Sequence, residues 1–558
     1  MTKPARTVDQ FCQSLTQIKV NSPLSWVSTF SKKSWGWGAT ISLTALLVLF
    51  SHSFVSAQVT NSVTNAIAEP GNPSLEILSG LVNTLWMLLA SLLVMTAYGG
   101  FGFWIAGFSR YKNVVNALTT NLVIFILTLF IFWIFGFAFL FGTQGNPIIG
   151  SGDWFLGAST PAMYGLKPFP DGIPLAVFFL FHSALAGITA MIVAGAIAER
   201  VKFLDFLIFT VLLVGIAYPL VGHWIWGGGW LSNLGFKDFA GSTVIHSVGG
   251  WAAFSGLAIL GPRMGKYEKK RTHKLPGHSM SWATLGGLMM GFGWLGITGG
   301  SVFALTPQVP SIILVTLFAA VAAGFTALLA AWLLVKKADL TLILRGIIAG
   351  LVAVSGSCNT ISIGSGIIIG AIAGLLAVLF IQWFDQVRID DPVGVLSTHL
   401  IGGLWGTLAI GIFDRNAGLI RGQYLLLLNQ LIGIAAVGVF MILFSGMIWL
   451  LLKGILGLRV GIEGEINGLD LSEHGVEAYS GFTLDSVNRL INPYEIAEAE
   501  SAPEVSSPQS SEQQESQHQA EAGATLTADE EDDPTQATLI KNESLEPEST
   551  VPTTPNAE

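Results

Sequence analysis

Two histidines lie in the middle of apolar runs, and their surroundings match. "DFAGSTVIHSVGGW" runs from Asp238 to Trp251, and "DPVGVLSTHLIGGL" from Asp391 to Leu404. Each has Asp, seven residues, His, two residues and then Gly-Gly, so the paired histidines are His246 and His399. A neutral imidazole has one donor and one acceptor nitrogen to satisfy. Two imidazoles that face each other satisfy one another, share a proton and titrate as a unit. A charged side chain at membrane depth costs roughly 2.5–3.5 kcal/mol, which keeps such residues rare and functional. The competing reading is two unrelated histidines, each bonded to a backbone carbonyl, and the duplicated context weighs against it. Gly249, Gly250, Gly402 and Gly403 would let the two helices approach closely. Asp238 and Asp391 fall at or just before the starts of their runs, where a carboxylate accepts bonds from free backbone N–H groups and favours the helix dipole. Both read first as structural caps and second as ligands.

Such a pair suits a small protonated amine in a dry passage. Desolvation lowers the pKa of an amine-like cation by up to ~3–5 units, from a reference near ~10.4. The cation then gives up its proton at neutral pH, and imidazoles that donate and accept can line the path of the neutral base. Aromatic faces at the mouth would concentrate the cation beforehand. Trp226, in "HWIWGGGW", is placed for that, although most of the 17 tryptophans should be interfacial anchors.

The elements that must hold these residues are membrane helices. Apolar residues make up 51% of the chain and charged residues 11%, against roughly 25% charged in soluble domains. Runs of about 20 apolar residues are long enough to span the hydrocarbon core as helices, and no alternating pattern suggests a membrane barrel. We expect an all-α membrane protein of eleven transmembrane helices, near 79–108, 113–142, 172–198, 203–225, 240–261, 280–303, 310–335, 341–358, 362–384, 393–413 and 424–457. Basic residues follow the odd-numbered spans: Arg110 and Lys112, Arg200 and Lys202, a cluster from Arg263 to Lys274, Lys336 and Lys337, Arg388, then Lys453 and Arg459. The other loops carry only Lys167, Lys237, Arg415 and Arg421. That alternation puts the mature N-terminus outside and the C-terminus in the cytoplasm. His246 and His399 fall in spans five and ten. A displacement of five spans reverses the direction of entry, so the domain reads as an inverted 5+5 repeat plus a C-terminal helix, with equivalent positions meeting near the midplane.

The remaining segments divide by composition. Residues 1–57 read as a signal peptide, with Lys32 and Lys33 before a short apolar stretch and small residues at Val55 and Ala57; an uncleaved first helix is the alternative. Residues 58–78 would be extracytoplasmic, 79–458 the transmembrane domain, 459–500 a cytoplasmic regulatory segment and 501–558 a disordered acidic tail. The net charge of −9 says little about partners, because much of the acid lies in that tail. Two cysteines, Cys12 and Cys358, argue against a structural disulfide. No Cys/His cluster has metal spacing. No nucleophile–base constellation or cofactor motif points to an enzyme, and neither a cofactor nor a nucleic-acid partner is expected.

At these residues the chain resembles the ammonium transporter family (Amt/Mep/Rh) from about Ser79 to Phe482. "AGAIAERVKF", "HWIWGGGWL", "DFAGSTVIH", "DDPVGVLSTHLIGGLWG" and "GLDLSEHGVEAY" look like family segments in family order. The resemblance implies a homotrimer of eleven-helix protomers in the plasma membrane, each with its own pore for ammonium or ammonia. It implies that His246 and His399 are the twin pore histidines. Trp226, Ser301 and Asp238 would belong to the outer ammonium site. The segment containing Gly468, Asp470, His474, Gly475 and Tyr479 would couple protomers, on a face that receives PII-type signalling proteins in many bacteria.

The chain also departs from the family. Two stacked phenylalanines usually close the outer mouth. Here Leu185 stands at the first position, with Phe181 one turn earlier, and Ile297 at the second, followed by Thr298. "WIAG" (Trp104 to Gly107) replaces the usual F-Y-G-G, and Gly394 stands where an acid is usual. Leu185 and Ile297 would then form an apolar constriction without the cation-binding quadrupole of a phenyl ring. The leading expectation is an ammonium transporter or channel that deprotonates NH4+ at the outer mouth. The alternatives are an ammonium sensor or regulatory paralogue with little transport, and an Rh-like neutral gas channel.

Overall fold

The computed structural model describes residues 75–157, 160–269 and 271–480. The expected leader, residues 58–74 of the next segment, residues 481–500 and the acidic tail lie outside the described residues. Among the described residues, eleven long stretches of helix follow one another. They are α1 (Leu75–Phe108), α2 (Tyr111–Phe141), α3 (Leu175–Ile197), α4 (Phe203–Leu234), α5 (Ser242–Leu260), α6 (Met280–Gly300), α7 (Gln308–Val335), α8 (Leu340–Ser355), α9 (Ile363–Gln386), α10 (Leu396–Phe413) and α11 (Leu425–Ile455). Two short helices, α12 (Ile462–Asn467) and α13 (Leu469–His474), follow. A two-stranded hairpin pairs β1 (Tyr267–Glu268) with β2 (Arg271–Thr272).

Among the described residues, nine of these helices are long and apolar enough to cross a membrane; α6 and α8 are not among them. The 34 residues of α1 span about 51 Å at 1.5 Å per residue, more than the ~30 Å hydrocarbon core, so this helix must tilt or protrude. α6 is diluted by glycines that serve packing. A Cβ on Gly286 would stand 2.4 Å from the Trp104 backbone nitrogen, and one on Gly296 2.6 Å from the Ala90 carbonyl. α1 and α6 therefore touch backbone to backbone, as small residues allow where lipid supplies no hydrophobic drive between helices. α8 is only 16 residues long. It stops where the Gly356 N–H turns to the Ser242 hydroxyl (2.7 Å), which itself donates to Val352 O (2.7 Å).

The loops gather at two ends. At one, Arg110, Glu199, Arg263 and Asp390 from four different connections form a buried ionic network. Arg110 meets Glu199 at 2.6 Å, Arg263 meets Glu199 at 3.2 Å and Asp390 at 2.8 Å. Arg200, fully buried beside them, donates to the Ala198, Gly261 and Asp390 carbonyls. Several of the arginines read from the sequence as a topology signal therefore also staple the helix ends together. At the opposite end lie Trp226, Lys237, Gly356 and Asp414, tied by the Lys237–Asp414 pair at 3.1 Å and by Phe239 N–H donating to Gly356 O. Asp238, which precedes α5, is at this tryptophan-bearing end, while Asp391, which precedes α10, is at the ionic end. The two helices thus run in opposite directions.

Candidate functional site

α5 and α10 each begin in the same unusual way. Gly241 and Gly394, three residues after their aspartates, have left-handed φ of +98° and +81°, a region that suits glycine. Each is followed by a wide π-helical turn, Ser242–Ser247 and Leu396–Ile401, with the histidine inside it. Such turns are rare and concentrate at functional sites. The Asp238 carboxylate accepts Gly241 N–H (3.0 Å), Thr243 N–H (2.8 Å) and Val244 N–H (2.9 Å). The Asp391 carboxylate accepts Gly394 N–H (2.9 Å) and Leu396 N–H (2.7 Å). Both aspartates thus cap. Burial pushes the Asp238 carboxyl up to about 6, although the backbone N–H groups favour the anion. The recurring motif is therefore D-x2-G-x4-H-x2-G-G, and Gly394, a departure from the family pattern, matches Gly241 within this chain.

The two helices bring their histidines together. His246 Nδ1 and His399 Nδ1 are 3.2 Å apart, and the ring centroids 5.2 Å apart. Trp294 stacks on His246 at 5.0 Å and Phe101 on His399 at 5.8 Å. His246 is fully buried and His399 is 3% exposed. The close approach needs glycine: a Cβ on Gly250 would lie 2.7 Å from Leu400 Cα, and one on Gly403 2.6 Å from Ser242 O. The Thr243 and Thr407 hydroxyls bond at 2.5 Å one turn away. An Nδ1–Nδ1 hydrogen bond between neutral rings fixes opposite tautomers: one ring carries its proton on Nδ1 and has a bare Nε2, and the other carries it on Nε2. The pair thereby offers one acceptor and one donor.

A cavity of about 470 Å³ opens at the tryptophan-bearing end. Its wall includes Trp226, Ser301, Leu185, Phe178, Phe303 and His182. Trp226 Nε1–H is tied back to Asp238 O at 2.6 Å, and the Ser301 hydroxyl donates to Ile297 O at 2.7 Å. Of the residues singled out for the outer mouth, Trp226, Ser301 and Leu185 share this wall. Phe181 lies behind it, its ring 5.5 Å from His182 and 5.9 Å from Phe303. Ile297 is fully buried in α6, off the wall. The Asp238 side chain turns to the start of α5 and borders a separate cavity of about 220 Å³ with Asn359 and Thr360. The histidine pair borders neither cavity.

Among the wall residues that sequence reading missed are His182 and Phe303. His182 carries a signal, an ionisable side chain within an apolar span, but lacks the duplicated context that drew attention to the pair. Phe303 carries none, because its place on the wall depends on a left-handed backbone (φ +58°) just past α6.

At the ionic end the segment after α11 folds back on the same chain. The Asp470 carboxylate accepts Asn116 N–H (2.8 Å), and Asn113 Oδ1 accepts Leu469 N–H (2.9 Å). The Asn116 amide donates to His474 Nε2 at 3.0 Å, and the Tyr479 hydroxyl meets His278 Nε2 at 2.8 Å. Gly468 sits against Lys112 with φ +108°, and Gly475 ends α13 at φ +67°. Burial raises the Asp470 carboxyl and lowers the His474 imidazole from their ordinary ranges.

Comparison with known proteins gives one answer. The profile of the Ammonium Transporter Family matches residues 85–479. The ammonium transporter Amt2 of Archaeoglobus fulgidus is 36% identical over 426 residues, covering 72% of this chain and 89% of that protein. A solved structure named Sensor Amt Protein superposes with a TM-score of 0.68 at 34% identity, covering 72% of this chain and all of that one. The crystal structure of Saccharomyces cerevisiae Mep2 gives 0.63 at 27% identity, covering 69% and 88%.

Proposed function

This chain belongs to the ammonium transporter family, and on that premise we propose that it carries ammonium across a membrane through the histidine pair. The observation that carries the reading is the 3.2 Å contact between Nδ1 atoms delivered by two helices of opposite direction. With α6 and α8 counted as spans, the chain makes eleven crossings arranged as an inverted repeat. The ionic end faces the cytoplasm of the plasma membrane, and the tryptophan-bearing end faces outward.

Ammonium gathers in the outer cavity against the faces of Trp226 and Phe303, where ring quadrupoles attract a cation. Leaving the cavity strips its water and brings its pKa down to roughly 5–7, so NH4+ separates into NH3 and a proton. The neutral base then needs one donor and one acceptor at each step, which the paired rings supply. The proton has a route through the same pair. It adds to the bare Nε2 of one ring, the shared Nδ1 proton shifts to the other ring, and that ring releases its Nε2 proton. Ammonium-evoked current in liposomes holding the purified protein tests this. Current that is lost in His246→Ala and His399→Ala supports it, flux of ammonia without current favours the gas-channel alternative, and no flux of either kind refutes transport.

A sensing reading draws on a second observation. The segment from Gly468 to Tyr479 bonds to the start of α2, so movement of that helix would reach the cytoplasmic face. A homotrimer with a PII-type partner fits either reading. Sensing without transport would appear as absent flux together with ammonium-dependent protease cleavage near residue 480.

A further inference from the structure

His182 is a titratable side chain on the outer cavity wall that the proposed mechanism leaves unused; Tyr164, also on that wall, gives its hydroxyl to Asp153 O. His182 lies on α3 and is 3% exposed, and neither ring nitrogen has a hydrogen-bond partner. Five aromatic rings enclose it: Phe141 and Phe178 at 4.4 Å, Phe181 at 5.5 Å, Phe303 at 5.6 Å and Trp226 at 5.8 Å. Buried polar groups in folded proteins are almost always bonded, and an unbonded one calls for an explanation. A histidine kept only for packing would be better replaced by a sixth apolar ring, which brings no unsatisfied nitrogen. On the same wall, the Trp226 indole is a donor only and is tied to Asp238 O, and Ser301 has given its O–H to Ile297 O, so its hydroxyl oxygen is left as an acceptor.

We propose that His182 is a hydrogen-bond acceptor, beside the Ser301 hydroxyl oxygen, that makes the outer cavity prefer ammonium to an alkali cation. The inference rests on the ammonium-carrying reading above. Aromatic faces bind NH4+ and K+ through the same quadrupole and discriminate poorly between cations of similar size. A neutral imidazole nitrogen accepts an N–H that ammonium has and potassium lacks. The nitrogens are screened by the surrounding rings, so the ligand must displace a ring edge to reach one. Phe303, held at a left-handed φ on a short turn, is the ring placed to yield.

The test uses the full-length protein with ammonium chloride, in liposomes for current and in detergent for calorimetric binding. His182→Phe keeps the ring and removes the acceptor; His182→Gln restores an acceptor and serves if the first variant does not fold. His182→Phe is expected to raise the ammonium KM about tenfold or more, with saturating current unchanged, since bonds to charged groups are the stronger ones. It should also let potassium compete at concentrations the parent protein tolerates, and His182→Gln should recover most of the difference. Unchanged KM and potassium competition in both variants would overturn the proposal, as would an equal loss in Phe and Gln variants. If the parent protein carries no current and no ammonia flux, the calorimetric comparison decides: weaker binding in His182→Phe than in His182→Gln upholds the site while the transport reading falls.

Discussion

The Nδ1–Nδ1 contact makes the protonation of His246 and His399 a joint property, so removing one ring damages both. In His399→Ala the buried Nδ1 of His246 loses its partner, at a cost of about 1–3 kcal/mol. Ammonium flux should fall roughly tenfold to hundredfold, as measured by uptake of a labelled ammonium analogue. The aspartates act on geometry. Asp238→Ala leaves three buried N–H groups unbonded and should destabilise the protein by about 2 kcal/mol or more, read as a lower unfolding temperature in detergent; Asp238→Asn should lose less. Because burial raises the Asp238 carboxyl to about 6, the folded chain holds a proton there that the unfolded chain has released. Its contribution is present below the ordinary carboxylate range and is lost as pH rises towards 6. Asp238→Asn should therefore flatten the pH dependence of stability in that window. The paired histidines and the capping aspartates were legible because their context is duplicated. His182 was overlooked for want of a twin, and the burial of Ile297 away from the cavity depends on which way α6 turns its face, which a glycine-rich stretch does not reveal.

Helices were legible wherever apolar runs were long, and their ends came within a few residues of expectation. α4 is the instructive case: the expected span stops at 225, where a turn interrupts the helix, and the chain resumes helix at Trp230–Leu234. The π-helical starts of α5 and α10 had no sequence signal beyond the glycine that each follows. Contact between α1 and α6 is set by side-chain absence, so Gly286→Leu should block assembly of these two helices; the expected readout is loss of folded protein on size-exclusion chromatography. At the ionic end, the Asp390 carboxylate accepts from Arg263, while Arg200 bonds to the Asp390 backbone carbonyl, which an alanine keeps. Asp390→Ala takes the carboxylate from the buried Arg263 guanidinium and should cost about 3–5 kcal/mol, a larger fall in unfolding temperature than substitution of the more exposed Asp385 in its pair with Lys266.

Across the whole molecule, the docked segment links the C-terminal region to α2. His474 accepts from Asn116 only when neutral, and burial holds its imidazole below the ordinary range. Docking therefore keeps this contribution above about 6.5 and loses it as pH falls through the lowered value. Asp470, whose carboxyl is raised, acts in the opposite sense at lower pH. Limited proteolysis near residue 480 should accelerate on acidification below about 6.5, and His474→Gln should remove that acceleration. The apolar spans and the family were legible from composition and a handful of motifs, because runs of about 20 apolar residues fold as helices in lipid and the duplicated motif marks where α5 and α10 touch. The two cavities and the fold-back of the last segment were not, since they arise between elements distant in the chain. The most direct test of the account is electrical: ammonium-evoked current across liposomes containing the parent protein or the His246→Ala, His399→Ala double variant. The account predicts a saturable current in the parent and its loss in the double variant; equal currents in the two would contradict it.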